Sequence, residues 1–99
     1  MTDTETARQL ETVIAILKLA HRKEIEEART TIRADKVNAE ILDRTSDWVS
    51  AGRLKTTVMA KTKQSKATVD RRVAALVEQG ALERQGAGTA ASYRNTGLI

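Results

Sequence analysis

The chain has no cysteine, no proline and no phenylalanine, and its aromatic residues are limited to Trp48 and Tyr93. Without cysteine it can form neither disulfides nor thiolate metal sites, and it has no thiol nucleophile. Because aromatic side chains are almost absent, aliphatic side chains must build the core, and we expect Trp48 to join them there. The lack of disulfides favours a cytoplasmic protein.

Long hydrophobic runs are also missing. The longest apolar stretch, residues 13–17, is far too short to cross a bilayer. No apolar segment follows a basic start, so the sequence shows no signal peptide. A chain of 99 residues is expected to form one small domain, with at most one appended element and a modest core. We therefore expect a cytoplasmic protein that does not associate with membranes.

The parts of an active site are absent as well. His21 is the only histidine, and its neighbours Arg22 and Lys23 offer no nucleophile. Gly86-x-Gly88 opens no helix and has no lysine at the offset of a phosphate-binding loop, so it is better interpreted as a hairpin tip. Since a catalytic site needs several converging groups, we expect no enzyme activity, no metal, no cofactor and no small-molecule ligand.

Positive charge is present in excess and is unevenly distributed. The net charge is +4, and the sequence pI is about 9.8. Residues 53–94 contain nine basic and three acidic residues, a net +6, whereas residues 1–52 contain eight basic and ten acidic residues, a net −2. Such an asymmetry is expected when one half of a protein meets phosphates and the other does not.

The centre of the basic half, residues 65–80, has the pattern of a helix. Ser65 is a suitable N-cap, and Gly80 suits the left-handed position that ends a helix. One face is apolar, through Val69, Val73, Leu76 and Val77. The opposite face combines the guanidinium of Arg71 with small residues, namely Ala67, Thr68 and Ala75. Such a face could lie close against a large polar ligand.

Shorter elements flank this helix. After it, residues 81–85 and 91–94 can pair as two strands around a turn-prone tip at 86–89. Before it, Thr56 or Thr57 can cap a short helix that extends to Thr62.

Together these residues resemble the winged helix-turn-helix family of DNA-binding domains. The matching features are Ser-x-x-Thr-Val-x-Arg at 65–71, Leu-x-x-x-Gly-x-Leu at 76–82 and a basic hairpin that ends in Tyr93-Arg94. The resemblance covers about residues 37–95. It departs at Lys63, where the family often has glycine, and at Gln64, a position that is usually apolar. It implies a mainly α fold with a small β-hairpin, a winged helix-turn-helix.

The resemblance also implies a role for individual residues on double-stranded DNA. Arg71 would contact a base, because arginine reads guanine edges bidentately. Arg72 lies nearer the buried edge and could instead pair with Glu83 or Glu78. The remaining expected DNA contacts are polar side chains at Gln64, Ser65 and Thr68, phosphate-binding lysines at Lys61, Lys63 and Lys66, and hairpin residues at Arg84, Thr89 and Arg94.

The first half of the chain has a helical pattern. We predict a helix that begins near Thr4 or Thr6 and runs to about Arg29, a break at 30–32, and a second helix capped by Asp35 that runs to about Ala51. A single helix over 6–51 remains an alternative, because no glycine or proline enforces the break. Gly52 is expected to end the second helix, and 53–55 to add a short strand beside the hairpin. The proposed division is an N-terminal helix at 1–34 and a DNA-binding domain at 35–99.

The N-terminal helix carries more apolar surface than one stripe. One part of it could pack on the second helix and another on a second copy of the chain. The alternative is that it only completes the core of its own domain. The expected dimerisation residues are Leu10, Val13, Ile14, Ile16, Leu17, Leu19 and Ala20.

The sequence thus predicts a homodimeric transcription regulator, with repression by operator occupancy as the simplest role. Two alternatives remain open at this point. One is an architectural or partition-type protein that spreads on DNA, and the other is a protein–protein adaptor built on a winged helix.

Overall fold

A computed structural model describes residues 3–99, with side chains from Thr6 onward. The described residues form five α-helices and one three-stranded antiparallel sheet, so the fold is mainly helical with a small sheet. In chain order the elements are α1 (Asp3–Ala20), α2 (Arg22–Ala34), α3 (Lys36–Arg44), β1 (Val49–Ser50), α4 (Ala51–Thr62), α5 (Lys66–Glu78), β2 (Leu82–Gln85), a 3₁₀ turn (Gly88–Ala90) and β3 (Ser92–Asn95).

The helix predicted from about Thr6 to Arg29 is interrupted, because α1 ends at Ala20 and α2 begins at Arg22. The interruption is at His21, whose backbone leaves the helical region at φ −126° and ψ 38°. The His21 N–H donates to the Leu17 carbonyl at 2.8 Å and closes the last turn of α1, and the Ile25 N–H donates to the His21 carbonyl at 2.9 Å and opens the first turn of α2. A single non-helical residue therefore separates the two helices.

The predicted break at 30–32 is wrong, since these residues lie within α2. The Thr30 hydroxyl donates to the Glu26 carbonyl at 3.0 Å, which gives this β-branched residue a partner inside the helix. Ile32 packs against the main hydrophobic core. Tertiary packing thus offsets the lower helix propensity of this segment.

The predicted cap at Asp35 is confirmed. Its carboxylate accepts hydrogen bonds from the N–H groups of Val37 at 2.9 Å and Asn38 at 3.0 Å, so it satisfies two free donors at the start of α3. The end of this helix was predicted wrongly, because α3 stops at Arg44 rather than near Ala51.

The next segment also differs from the prediction. Gly52 lies in the first turn of α4 rather than at a helix end, and residues 53–55 are helical rather than a strand. The short strand is β1, directly before α4. α4 accordingly begins at Ala51, about one and a half turns before the predicted caps Thr56 and Thr57.

The sheet has the order β1-β3-β2, with both pairings antiparallel. Glu83 lies opposite Arg94, and Arg84 lies opposite Tyr93. Gly86 takes a φ of +79° in the turn after β2, and a Cβ there would lie 2.7 Å from the Ala90 carbonyl oxygen. This glycine is therefore required by both conformation and space.

The core lies between α3, α4, α5 and the sheet. Its fully buried members include Ile41, Leu54, Val58 and Val69. α2 contributes only partly buried side chains to it, Ala28 and Ile32.

Trp48 was expected in the core, and this is wrong. Its side chain is 36% exposed, and its indole ring carries the guanidinium of Arg94 at 4.8 Å from the ring centroid. The aromatic surface thus supports a cation instead of filling the interior.

α1 lies outside the main core. Its Leu10 and Ile14 line a shallow pocket with Ser46, Asn95 and Thr96. The predicted packing of the N-terminal helix on the second helix is made by α2, which contacts α3, whereas Leu10 and Ile14 of α1 lie beside the loop after α3 and the end of β3.

Candidate nucleic-acid interface

A ladder of polar groups runs along the exposed side of α5. Ser65 caps the helix by accepting from the Thr68 N–H at 3.3 Å, and its hydroxyl donates to the Thr68 hydroxyl at 3.1 Å. Arg71 Nη2 donates to the same Thr68 hydroxyl at 3.5 Å. These residues are three apart, so they share one face of the helix. The Arg71 guanidinium is therefore in contact with one hydroxyl, that of Thr68, which in turn accepts from Ser65.

The turn before α5 is tight and basic. Lys63 has φ 61° and ψ 26°, the left-handed conformation, and its N–H donates to the Met59 carbonyl at 2.9 Å. A non-glycine residue there carries a conformational cost. Lys61, Lys63 and Gln64 are all exposed, and neither lysine forms an ion pair with any described residue. The turn therefore presents two free ammonium groups beside the ladder.

Asp70 neutralises two other basic residues of this region. Asp70 on α5 forms ion pairs with Lys55 of α4 and Lys66 of α5, both at 2.8 Å. Hydrogen bonds from Lys55 and then Lys66 hold the pKa of Asp70 below its ordinary value, against the opposing effect of burial. Lys66, an expected phosphate contact, is therefore already paired.

Arg72 pairs with Asp35 at 3.0 Å, so the expected partners Glu83 and Glu78 are wrong. Burial raises the pKa of Asp35, but the hydrogen bond from the Asn38 N–H and the Arg72 guanidinium outweigh it and lower the pKa overall. Arg72 thus joins α5 to the start of α3.

The hairpin separates its two arginines. Arg94 faces Glu83, with a separation of 2.6 Å between its guanidinium and the carboxylate, and it also stacks on Trp48. Arg84 is the next residue along β2 and so points to the opposite face of the sheet. It is exposed, and its Nε donates to the Gly86 carbonyl at 3.3 Å. Thr89 is exposed in the 3₁₀ turn. The structure therefore does not bring Arg94 to the same face as Arg84.

The ion pairs that Asp70 forms with Lys55 and Lys66 were not predicted from the sequence. One signal was available, because Lys66 and Asp70 are four apart on a helix, a spacing at which opposite charges pair. The link to Lys55 joins two different helices, and no local pattern indicates it. Trp48, expected to be buried, is likewise part of the surface beside the hairpin.

The second candidate surface is on α1. Val13, Ile16, Leu17 and Ala20 follow the i, i+3, i+4, i+7 spacing of one helix face, and all four are exposed. The exposed fractions of the first three are 52%, 61% and 40%. Leu19, on another side of the helix, is 88% exposed, whereas Ile14 is buried and Leu10 half-buried. The expected dimerisation residues thus divide into two that face the domain and five that face outward.

Comparisons with known proteins identify no relatives. No family model, no curated protein and no solved structure matches this chain. Within residues 3–99, no helix is both long and apolar enough to span a membrane. The same residues contain no group of three or more histidine, aspartate or glutamate side chains that could hold a metal ion.

Proposed function

We propose that this protein is a winged helix-turn-helix regulator that binds double-stranded DNA as a homodimer in the cytoplasm. α4 and α5 would form the helix-turn-helix, and the β2–β3 hairpin would form the wing. α5 would enter the major groove by its N-terminal half, the usual docking of such motifs. Because we find no sensor element in the described chain, repression by operator occupancy is the simplest role.

The observation that carries this proposal is the exposed ladder Ser65–Thr68–Arg71 beside the free ammonium groups of Lys61 and Lys63. An exposed guanidinium beside the Thr68 hydroxyl suits bidentate recognition of a guanine edge. Lysines at the helix start suit phosphates, which fix register without reading sequence. Arg84 and Thr89 would contact the adjacent DNA backbone.

The homodimer is supported by the outward face of α1. Four apolar side chains at helical spacing are exposed, and surfaces of this kind mark interaction sites or aggregation liabilities. A two-fold axis would let the same stripe pack on its own copy. Each subunit would then present one α5 to one half-site.

The test is selection of bound sequences from random duplex DNA, followed by binding to the selected duplex over a salt series. We expect discrete selected sites and a slope of log K against log salt steeper than about −4, at roughly 0.9 per phosphate neutralised. A flat salt response would contradict backbone binding. Occupancy that grows cooperatively with DNA length, without discrete sites, would indicate the spreading role instead.

The adaptor alternative is favoured by one observation. Lys55, Lys66, Arg72 and Arg94 are all paired with carboxylates of the same chain, which leaves less free positive charge than the sequence count indicates. Undetectable affinity for any duplex at low salt would favour the adaptor and would contradict DNA binding.

A further inference from the structure

Asp70 occupies an unusual position for an acidic residue. It is the only acidic residue between Lys61 and Arg72, the segment that contains the whole proposed DNA-contacting turn and ladder. It directly precedes Arg71. Its two carboxylate oxygens are each 2.8 Å from an ammonium group, Lys55 Nζ on one side and Lys66 Nζ on the other. The three side chains therefore present a net charge of +1 where two lysines alone would present +2.

The three side chains differ in how accessible they are. The Lys66 side chain is 68% exposed, whereas those of Lys55 and Asp70 are 24% and 35% exposed. The exposed Lys66–Asp70 pair contributes little to stability, because solvent screens it, whereas the Lys55–Asp70 pair is more enclosed, since Asp70 Oδ1 is buried. Their larger effect is on the field at the surface, where a carboxylate repels phosphates and withholds ammonium groups from them.

We propose that Asp70 restrains non-specific DNA binding by holding Lys55 and Lys66, and so raises the discrimination between selected and random DNA. The inference rests on the proposed DNA-binding function. In a loose, non-specific complex the phosphates stay too distant to compete with a carboxylate at 2.8 Å. In the specific complex, base contacts by the ladder bring the backbone close enough for phosphates to take over the lysines.

The test replaces Asp70 by asparagine, which keeps the shape and removes the charge. On random-sequence duplex, each released lysine should add roughly 0.9 to the magnitude of the salt slope, and should raise affinity by about threefold, the share of one contact in the usual salt effect. Affinity for the selected site should rise less, because both lysines already contact phosphate there. The ratio of specific to non-specific affinity should therefore fall.

Glu78→Gln is the matched control. Glu78 is an exposed acidic residue on the same helix and forms no ion pair with any described residue. Its replacement by glutamine changes the net charge by the same amount as Asp70→Asn. If Asp70→Asn and Glu78→Gln raise random-DNA affinity equally, only net charge matters and the proposal is overturned. Wild-type binding to the selected site would still support the proposed function in that case.

A second variant keeps the test valid if Asp70→Asn fails to fold. Lys66→Gln, with Asp70 retained, should weaken binding to random DNA less than binding to the selected site, because Lys66 is withheld from phosphates in the non-specific complex. In the Asp70→Asn background the same change should cancel part of the gain on random DNA. Equal weakening of both duplexes by Lys66→Gln alone would overturn the proposal.

Discussion

The N-terminal helix α1 and the body formed by α3, α4, α5 and the sheet use aliphatic side chains in opposite ways. In the body, leucine, isoleucine and valine are enclosed, as at Ile41, Leu54 and Val58. On α1 the same residue types face solvent, and Leu19 is the most exposed large apolar side chain described. Equal hydrophobicity therefore serves folding in one region and is left available for association in the other.

The two regions also differ in how much buried apolar surface stabilises them. The body buries a contiguous cluster that reaches from Val37 to Ile99, and α1 contributes no member to it. A helix with so little burial gains little stability from packing on the rest of its own chain. If the chain dimerises as proposed, we expect α1 to be sensitive to association and the body not to be.

The largest expected effect separates the two regions by stability. Leu54 is 1% exposed, so Leu54→Ala should lower the free energy of unfolding by about 2–5 kcal/mol, through lost burial and a residual cavity. Leu19→Ala, measured at a concentration where the chain is monomeric, should change it by less than about 0.5 kcal/mol. Denaturant unfolding monitored by circular dichroism measures both. Similar decreases in the free energy of unfolding for the two variants would contradict the difference between α1 and the body.

The next effect concerns association. Leu17→Glu places a charge in the outward stripe of α1, and should convert a dimer to folded monomers that bind DNA about a hundredfold more weakly, because avidity is lost. Sedimentation measures the first change and a binding titration the second. Thr12→Glu is the control, since Thr12 is an exposed polar residue of the same helix. A wild-type monomer at tens of micromolar would contradict the dimer.

A third prediction sharpens the division of function. Arg71→Ala should weaken the selected site by about 1–3 kcal/mol and random DNA much less, as base readout requires. Lys63→Ala should weaken both about equally, as expected for a phosphate contact. Fluorescence anisotropy on the two duplexes measures the difference. An Arg71→Ala variant with unchanged binding to both would mean that the ladder does not read DNA.

The smallest of these expected effects is at Asp35, the residue that caps the first helix of the body. Asp35→Ala removes the cap of α3 and the partner of Arg72, and should lower the free energy of unfolding by about 1 kcal/mol at neutral pH. Because the pKa of Asp35 is lowered from its ordinary value of 3.8 in the folded state, this stabilisation is present above that value. It should be lost as the pH falls through the lower folded value, so the wild-type and Asp35→Ala curves should converge in acid. Urea titrations over a pH series measure this, and a constant difference would contradict it.

Features that depend on neighbouring residues were predictable from the sequence. The caps at Asp35 and Ser65 and the left-handed glycine at Gly80 follow from local hydrogen bonding and backbone freedom, and all three are present. The hairpin between residues 82 and 95 also follows from turn residues flanked by strand-forming segments.

Features that depend on distant residues were not predictable. The pair of Arg72 with Asp35 joins residues 37 apart, and the contact between Arg94 and Trp48 joins a strand to a loop. The bend at His21 carries no glycine or proline signal, and the β-branched residues that favoured a break nearby are held helical by the core. Charge counts along the chain likewise could not show that Asp70 pairs with two of the basic residues.

Lys63 combines a conformational cost, its left-handed backbone, with an exposed ammonium group. Glycine adopts this left-handed backbone conformation without strain. Lys63→Gly is therefore expected to stabilise the turn by about 1 kcal/mol. The same change would delete an exposed ammonium group beside α5. Selection for a higher melting temperature would therefore favour glycine at this position, whereas selection for the proposed phosphate contact would favour lysine.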